Sequence, residues 1–168
     1  MHTDPTPELA EQLSIALSDD MARTRSWESY DLKVPIDDIR RFLRYIPGSN
    51  MLDVGCGWAG YIQHFLDHGL TYTGIDHSLE MIKVARAAHP GVRFLQASYR
   101  TANFPDEYFD GIWACCAFST EPKSSFAQSL ARLRKCLTRN GIMTIVMPGP
   151  WDSTEEYVSA NGESPLFW

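Results

Sequence analysis

A chain of 168 residues with 44% hydrophobic and 21% charged positions is long enough for one domain with a real core and too short for two. Its 21 Asp and Glu against 15 Lys and Arg leave a net charge of −6, which argues against a nucleic-acid-binding surface, because phosphate neutralisation needs a clustered cationic face. No apolar run approaches the roughly 18 residues of a membrane span, and Cys56, Cys115, Cys116 and Cys136 form no CxxC pair, so the expectation is a cytoplasmic protein with buried free thiols, no membrane contact and no bound metal.

Residues 1–7 are polar and carry no period. From Glu8 to Leu17 the apolar residues Leu9, Leu13, Ala16 and Leu17 recur at helical spacing, and residues 18–34 then mix charges with Trp27 and Tyr30. Residues 1–34 therefore read as an N-terminal helical extension or lid, ahead of a main domain over 35–168. Pro35 opens a second helix whose stripe is Ile36, Ile39, Phe42, Leu43 and Ile46, and Pro47 and Gly48 end it.

Short apolar runs then alternate with helical segments. Strands are expected over Met51–Val54, Tyr72–Ile75, Val92–Leu95, Gly111–Cys115 and Ile142–Met147. Helices are expected over Trp58–His68, with Tyr61, Ile62, Phe65 and Leu66 inward, and from a Ser78 cap through Ala88, burying Leu79, Ile82 and Ala85. A third starts at Ser124 or Ser125 and closes at Asn140 and Gly141. Strand starts at 51, 72, 92 and 111 leave room for a helix or long loop between neighbours, so the fold class is α/β, a doubly wound and mostly parallel sheet covered on both faces.

The most informative stretch is Met51-Leu-Asp-Val-Gly55-Cys-Gly57-Trp-Ala-Gly60, a strand running into a glycine turn and then a helix. Such a turn brings backbone close to a ligand and aims helix N–H groups at it. Gly55, Gly57 and Gly60 fit the spacing of a dinucleotide fingerprint, with Asp76 where a ribose-binding acid belongs, so a nicotinamide-dependent oxidoreductase is one reading. Asp53 favours another. A carboxylate two residues before the first glycine repels a pyrophosphate and attracts a ligand bearing an ammonium and a sulfonium.

Leu52-Asp-Val-Gly-Cys-Gly57 together with Tyr72-Thr-Gly-Ile-Asp-His-Ser78 resembles the class I S-adenosylmethionine-dependent methyltransferases. The likeness extends to Phe104–Trp113 and Leu133–Gly141 and covers roughly Pro35 to Pro148. It implies a Rossmann-like domain that binds S-adenosylmethionine and methylates a small molecule. By the same resemblance Gly55, Cys56 and Gly57 pass the donor's methionine part, Asp76 holds both ribose hydroxyls, and His77 and Met81 flank the adenine. Ser98 stands where relatives carry an acid that reads the adenine amino group, with Tyr99 beside it. Cys115, in Ala114-Cys-Cys-Ala-Phe118, lies against the methionine part and the transferable methyl, and Tyr30 occupies the place of an N-terminal tyrosine over the cofactor.

Ala59 replaces the third glycine of the commonest family pattern, and Thr120 stands where relatives often have a His, so no general base is assigned. His64 and His68 share a helix face without an HExxH glutamate, and the arginine groups at 40, 41, 44 and at 132, 134, 139 read as solvated helix faces. The family sheet ends with two more strands, yet only 21 residues follow Met147. The edge at the fifth strand is thus expected to be covered by the tail or paired with another copy in a homodimer, unless the chain is a trimmed piece. A non-catalytic binding or partner subunit is the alternative that this shortness favours.

Overall fold

The computed structural model describes residues 5–29 and 36–147. Five strands, β1 (Asn50–Val54), β2 (Thr71–Asp76), β3 (Arg93–Gln96), β4 (Phe109–Cys115) and β5 (Leu137–Val146), form one sheet in the order β3-β2-β1-β4-β5. All four pairings are parallel. The order reverses between β1 and β4, so the crevice beyond their carboxyl ends is where an open sheet of this kind receives a ligand.

Helices α2 (Ile36–Tyr45), α3 (Ile62–Leu66) and α4 (Leu79–Ala88) cover one face, because their apolar stripes have no other place to leave water. Ile39 and Phe42 of α2, Ile62 and Phe65 of α3, and Ile82 and Ala85 of α4 meet Met51, Tyr72, Phe94 and Trp113 of the sheet. Phe42, Phe65 and Trp113 form a triangle of rings with centroids 5.6 to 5.8 Å apart, each pair adding about 0.5–1.5 kcal/mol beyond its buried area. On the other face, α5 (Lys123–Cys136) brings Leu133 and Cys136 against Leu52, Val54, Ile75, Ile112 and Ala114.

The N-terminal helix α1 (Pro7–Thr24) is longer than its apolar period predicts, and its inward face differs. It buries Ala10 and Ala22, while Leu9 and Leu13 are 47% and 41% exposed. Polar bonds replace the expected apolar seam: Ser14 Oγ lies 3.3 Å from His77 Nε2, and Ser78 Oγ donates to Asp19 Oδ1 at 2.5 Å. Arg100 adds a bond to the carbonyl of Pro7 and an ion pair with Glu11 at 3.7 Å.

Three other expectations are corrected. The helix after the glycine loop spans Ile62–Leu66 only, because left-handed φ values at Gly57 (+51°) and Ala59 (+63°) hold the preceding residues in turns. Helix α5 stops at Cys136, well before Asn140 and Gly141. Its last carbonyls are satisfied by Glu107 N and Tyr108 N, 2.9 Å from Lys135 O and Cys136 O, and Leu137 passes directly into β5. The register then jumps from Phe109↔Leu137 to Gly111↔Ile142, so residues 138–141 bulge from the ladder. Leu79, in the first turn of α4, is 39% exposed rather than buried. Tyr30, the side chain of Trp27, the Pro35 helix start and the tail from 148 lie outside the described residues.

Candidate functional site

The carboxyl ends of β1, β2 and β4 converge on the glycine loop. Asp53 pairs with Gly74 and Trp113 in the ladder, which places its side chain on the same face as that of Tyr72, two residues before Gly74. Tyr72 Oη donates to Asp53 Oδ2 at 2.5 Å, and both groups are buried. Burial pushes the Asp53 carboxyl up to about 7; the Tyr72 hydrogen bond opposes that rise and the nearby Asp76 charge adds to it.

Asp76 is 7% exposed and ends β2. Its Oδ2 accepts Gly57 N at 3.0 Å and its Oδ1 accepts Ser78 N at 2.8 Å, so one carboxylate ties the glycine loop to the start of α4. Burial raises its pKa, while His77 and the two backbone N–H groups draw it back down. Ser78 caps α4 as the sequence predicts, its Oγ accepting Met81 N at 3.1 Å. Each Asp76 oxygen keeps a lone pair for one further donor, as two adjacent ribose hydroxyls require.

The loop itself leaves room. A Cβ built at Gly57 meets nothing within 4 Å, whereas one at Gly55 would strike the Ala117 Cβ at 2.7 Å. The first glycine is therefore needed for contact with the segment after β4, and the second faces open space beside Asp76. Cys56 is buried with its N–H bonded to Ile75 O at 3.0 Å, an anchor of the turn. Two buried carboxylates thus stand beside a backbone turn that is open at Gly57, a set that would suit a ligand with vicinal hydroxyls and a cationic end.

His77 is half-buried beneath Ser14, and Met81 is buried in the first turn of α4. Ser98 follows β3 at the same edge of the sheet, with its hydroxyl accepting Arg100 N at 3.2 Å. Tyr99 is placed in the core of the α5 face, its ring 4.9 Å from that of Phe118 and its hydroxyl donating to Glu121 Oε2 at 2.7 Å. The cysteines are free, but the expectation of burial holds for Cys56 and Cys136 only. Cys115 is half-buried and Cys116 exposed, because the chain leaves the sheet at this point. His68 Nδ1 lies 2.8 Å from the carbonyl of His64.

Sequence reasoning missed the hub at Glu121. This buried carboxylate accepts from Tyr99, Arg100, Ser125 and Ser129. Burial would raise it, yet these donors together hold it below the usual carboxylate range. Through Arg100 it reaches α1, so the N-terminal helix is tied to the segment after β4. A Glu just before a Pro-initiated helix gives no sign in sequence that four donors will surround it.

The family model described as a methyltransferase domain matches residues 51–141, more than half of the chain. The demethylmenaquinone methyltransferase of Renibacterium salmoninarum is 28% identical over 66% of this chain and 44% of its own length. The trans-aconitate 2-methyltransferase of Azoarcus sp. is 30% identical over 77% of this chain and 47% of its own. The phosphatidylethanolamine N-methyltransferase of Cereibacter sphaeroides is 28% identical over 86% and 77%. The chain thus spans less than half the length of the first two. Among solved structures, the DhpI-SAM-HEP complex superposes with a TM-score of 0.69 at 18% identity, over 98% of this chain and 85% of that one. An S-adenosylmethionine-dependent methyltransferase from Mesorhizobium loti gives 0.58 at 23%, over 66% and 52%. At these identities the two superpositions establish the fold.

Proposed function

The chain belongs to the class I S-adenosylmethionine-dependent methyltransferases, whose cofactor is S-adenosylmethionine, and on that premise we propose that it moves the donor's methyl group to a small-molecule acceptor. The observation that carries the proposal is Asp76, buried, fixed by two backbone N–H groups, and still able to accept two vicinal hydroxyls. Asp53, held by Tyr72, would take the donor's ammonium, and Gly55, Cys56 and Gly57 would line its methionine part. His77 and Met81 would flank the adenine, with the Ser98 hydroxyl near its amino group. Cys115 would close the methyl side, and Tyr30 would lie over the donor.

When bound, the donor supplies a carbon already activated by sulfonium. The chain's own contribution is then to orient donor and acceptor and to exclude water. The names of its relatives, a quinone, a tricarboxylate and a lipid amine among them, support an acceptor no narrower than a small molecule. A net charge of −6 supports the absence of nucleic acid from the reaction. Free cysteines support a reducing, cytoplasmic setting, and no helix among the described residues is long and apolar enough to cross a membrane. The position of β5 at the sheet edge supports pairing of two copies there.

Calorimetry of the full chain with S-adenosylmethionine, S-adenosylhomocysteine and NAD tests this, followed by transfer of labelled methyl to a panel of carboxylate, quinol and amine acceptors. Binding of the first two with turnover supports the enzyme. Binding without turnover on any acceptor favours a non-catalytic subunit, and binding of NAD alone overturns the assignment.

A further inference from the structure

In an extended strand successive side chains point to opposite faces, so adjacent cysteines at the end of β4 should not meet. Here they do. Cys116 has φ +58°, a left-handed conformation uncommon for any residue but glycine, and its backbone is pinned there by Cys116 N donating to Val146 O at 2.8 Å and Ser119 N to Cys116 O at 3.3 Å. The turn swings both thiols to one side, with their Sγ atoms 4.0 Å apart. Two sulfur ligands about 2.3 Å from one ion stand about 3.3 to 3.8 Å apart as the S–ion–S angle goes from the near-right angle of a pyramidal trivalent metalloid to the tetrahedral value, so these thiols need to approach by less than about 1 Å. A disulfide would need the sulfurs to close to about 2.05 Å, which the pinned backbone opposes.

We propose that Cys115 and Cys116 form a two-thiolate chelating site for a soft, thiophilic ion of the trivalent-metalloid or heavy-metal class, at the mouth of the crevice between β1 and β4. Soft sulfur ligands select such ions over hard oxygen-seeking cations. Cys116 is exposed, so the site can be entered from solvent, and Cys115 is half-buried against the Tyr61 hydroxyl. Cys56 and Cys136 are buried in separate parts of the core and offer no second pair.

With phenylarsine oxide the step balances without any oxidant: both S–H bonds break, two As–S bonds form, and the oxide leaves as water while arsenic stays trivalent. The loop from Cys115 to Phe118 touches Gly55 through Ala117, so an ion held here is expected to obstruct the glycine turn. That consequence rests on the donor reading; the chelation does not.

The test titrates the full chain with phenylarsine oxide and follows intact mass and thiol count. The expected result is one arsenical per chain with two thiols consumed, stable to excess 2-mercaptoethanol and released by 2,3-dimercaptopropanol. Cys115→Ser and Cys116→Ser should each lower monothiol-resistant binding at least tenfold. An adduct that survives in Cys116→Ser, or that a monothiol displaces from the wild type, overturns the chelate. S-adenosylhomocysteine affinity should fall at least tenfold in the arsenical form, and unchanged affinity overturns the obstruction. Failure of the untreated protein to bind S-adenosylhomocysteine would refute the donor reading while leaving the thiol titration to decide the chelate.

Discussion

Removing one oxygen from Tyr72 should change the pH at which the donor binds. In Tyr72→Phe the ring stays packed between Phe65 and Phe94, but Asp53 loses its buried hydrogen bond. A hydrogen bond to a charged group contributes about 1.5–3 kcal/mol. At 1.36 kcal/mol per unit, that moves a carboxyl already near 7 up by about one to two units, to about 8–9. At pH 7 the ionised fraction then drops from about one half to between about one tenth and one hundredth. If the carboxylate form receives the donor's ammonium, affinity for S-adenosylhomocysteine at pH 7 falls about five- to fiftyfold, and by pH 9.5 the gap narrows to within about twofold. Calorimetry of both proteins from pH 6 to 9.5 reads the ratio of affinities, in which titration of the donor's own amine cancels. A ratio that does not vary with pH, or stays near one at pH 7, refutes the reasoning.

Asp53→Asn should stabilise the ligand-free protein in neutral and alkaline solution. A carboxyl raised from about 3.9 to about 7 favours the folded state fully below about pH 4, and that contribution is lost as pH rises through 7. The wild type should therefore lose up to about 4 kcal/mol between pH 4 and 8 from this group, and urea unfolding of the variant should lack that part of the slope. Arg100→Ala should cost about 2–4 kcal/mol, below the extreme for a broken buried pair because Tyr99, Ser125 and Ser129 still donate to Glu121. Hydrogen exchange should rise in α1 and not in β1 or β2; uniform exchange would contradict the tether. Ala59→Gly should change stability by no more than about 1 kcal/mol or improve it, because relief of left-handed strain offsets the lost methyl burial. The same exchange at helical Ala85 should destabilise by about 1 kcal/mol or more, and equal losses at both sites would count against the strain.

What the sequence made legible was local. The strand, glycine turn and acid at 51–57 and 72–78 carry their periods and turn residues within a few positions, and Ser78 caps its helix where its position before an apolar stripe says it should. Asp76 stands at the strand end where its ribose role would require it. The relation between Asp53 and Tyr72 was not legible, because it depends on the register of two parallel strands, which periodicity does not fix. The end of α5 is hidden from the sequence for a similar reason: Asn140-Gly141 is a sound local stop, but the N–H groups of Glu107 and Tyr108 terminate the helix four residues earlier from across the chain. Likewise α1 showed an apolar stripe in Leu9 and Leu13, yet polar partners on His77, Ser78 and Arg100 set which side faces in. The short distance between Cys115 and Cys116 follows from one left-handed residue that no neighbouring glycine announces.

Affinity of Asp76→Ala for S-adenosylhomocysteine tests the central claim most directly, because that carboxylate both orders the glycine loop and would hold the ribose. Two charge-assisted hydrogen bonds of about 1.5–3 kcal/mol each imply a loss of at least about a hundredfold at pH 7.5, with the folded state confirmed by circular dichroism. A folded variant that binds S-adenosylhomocysteine as tightly as the wild type would contradict the account.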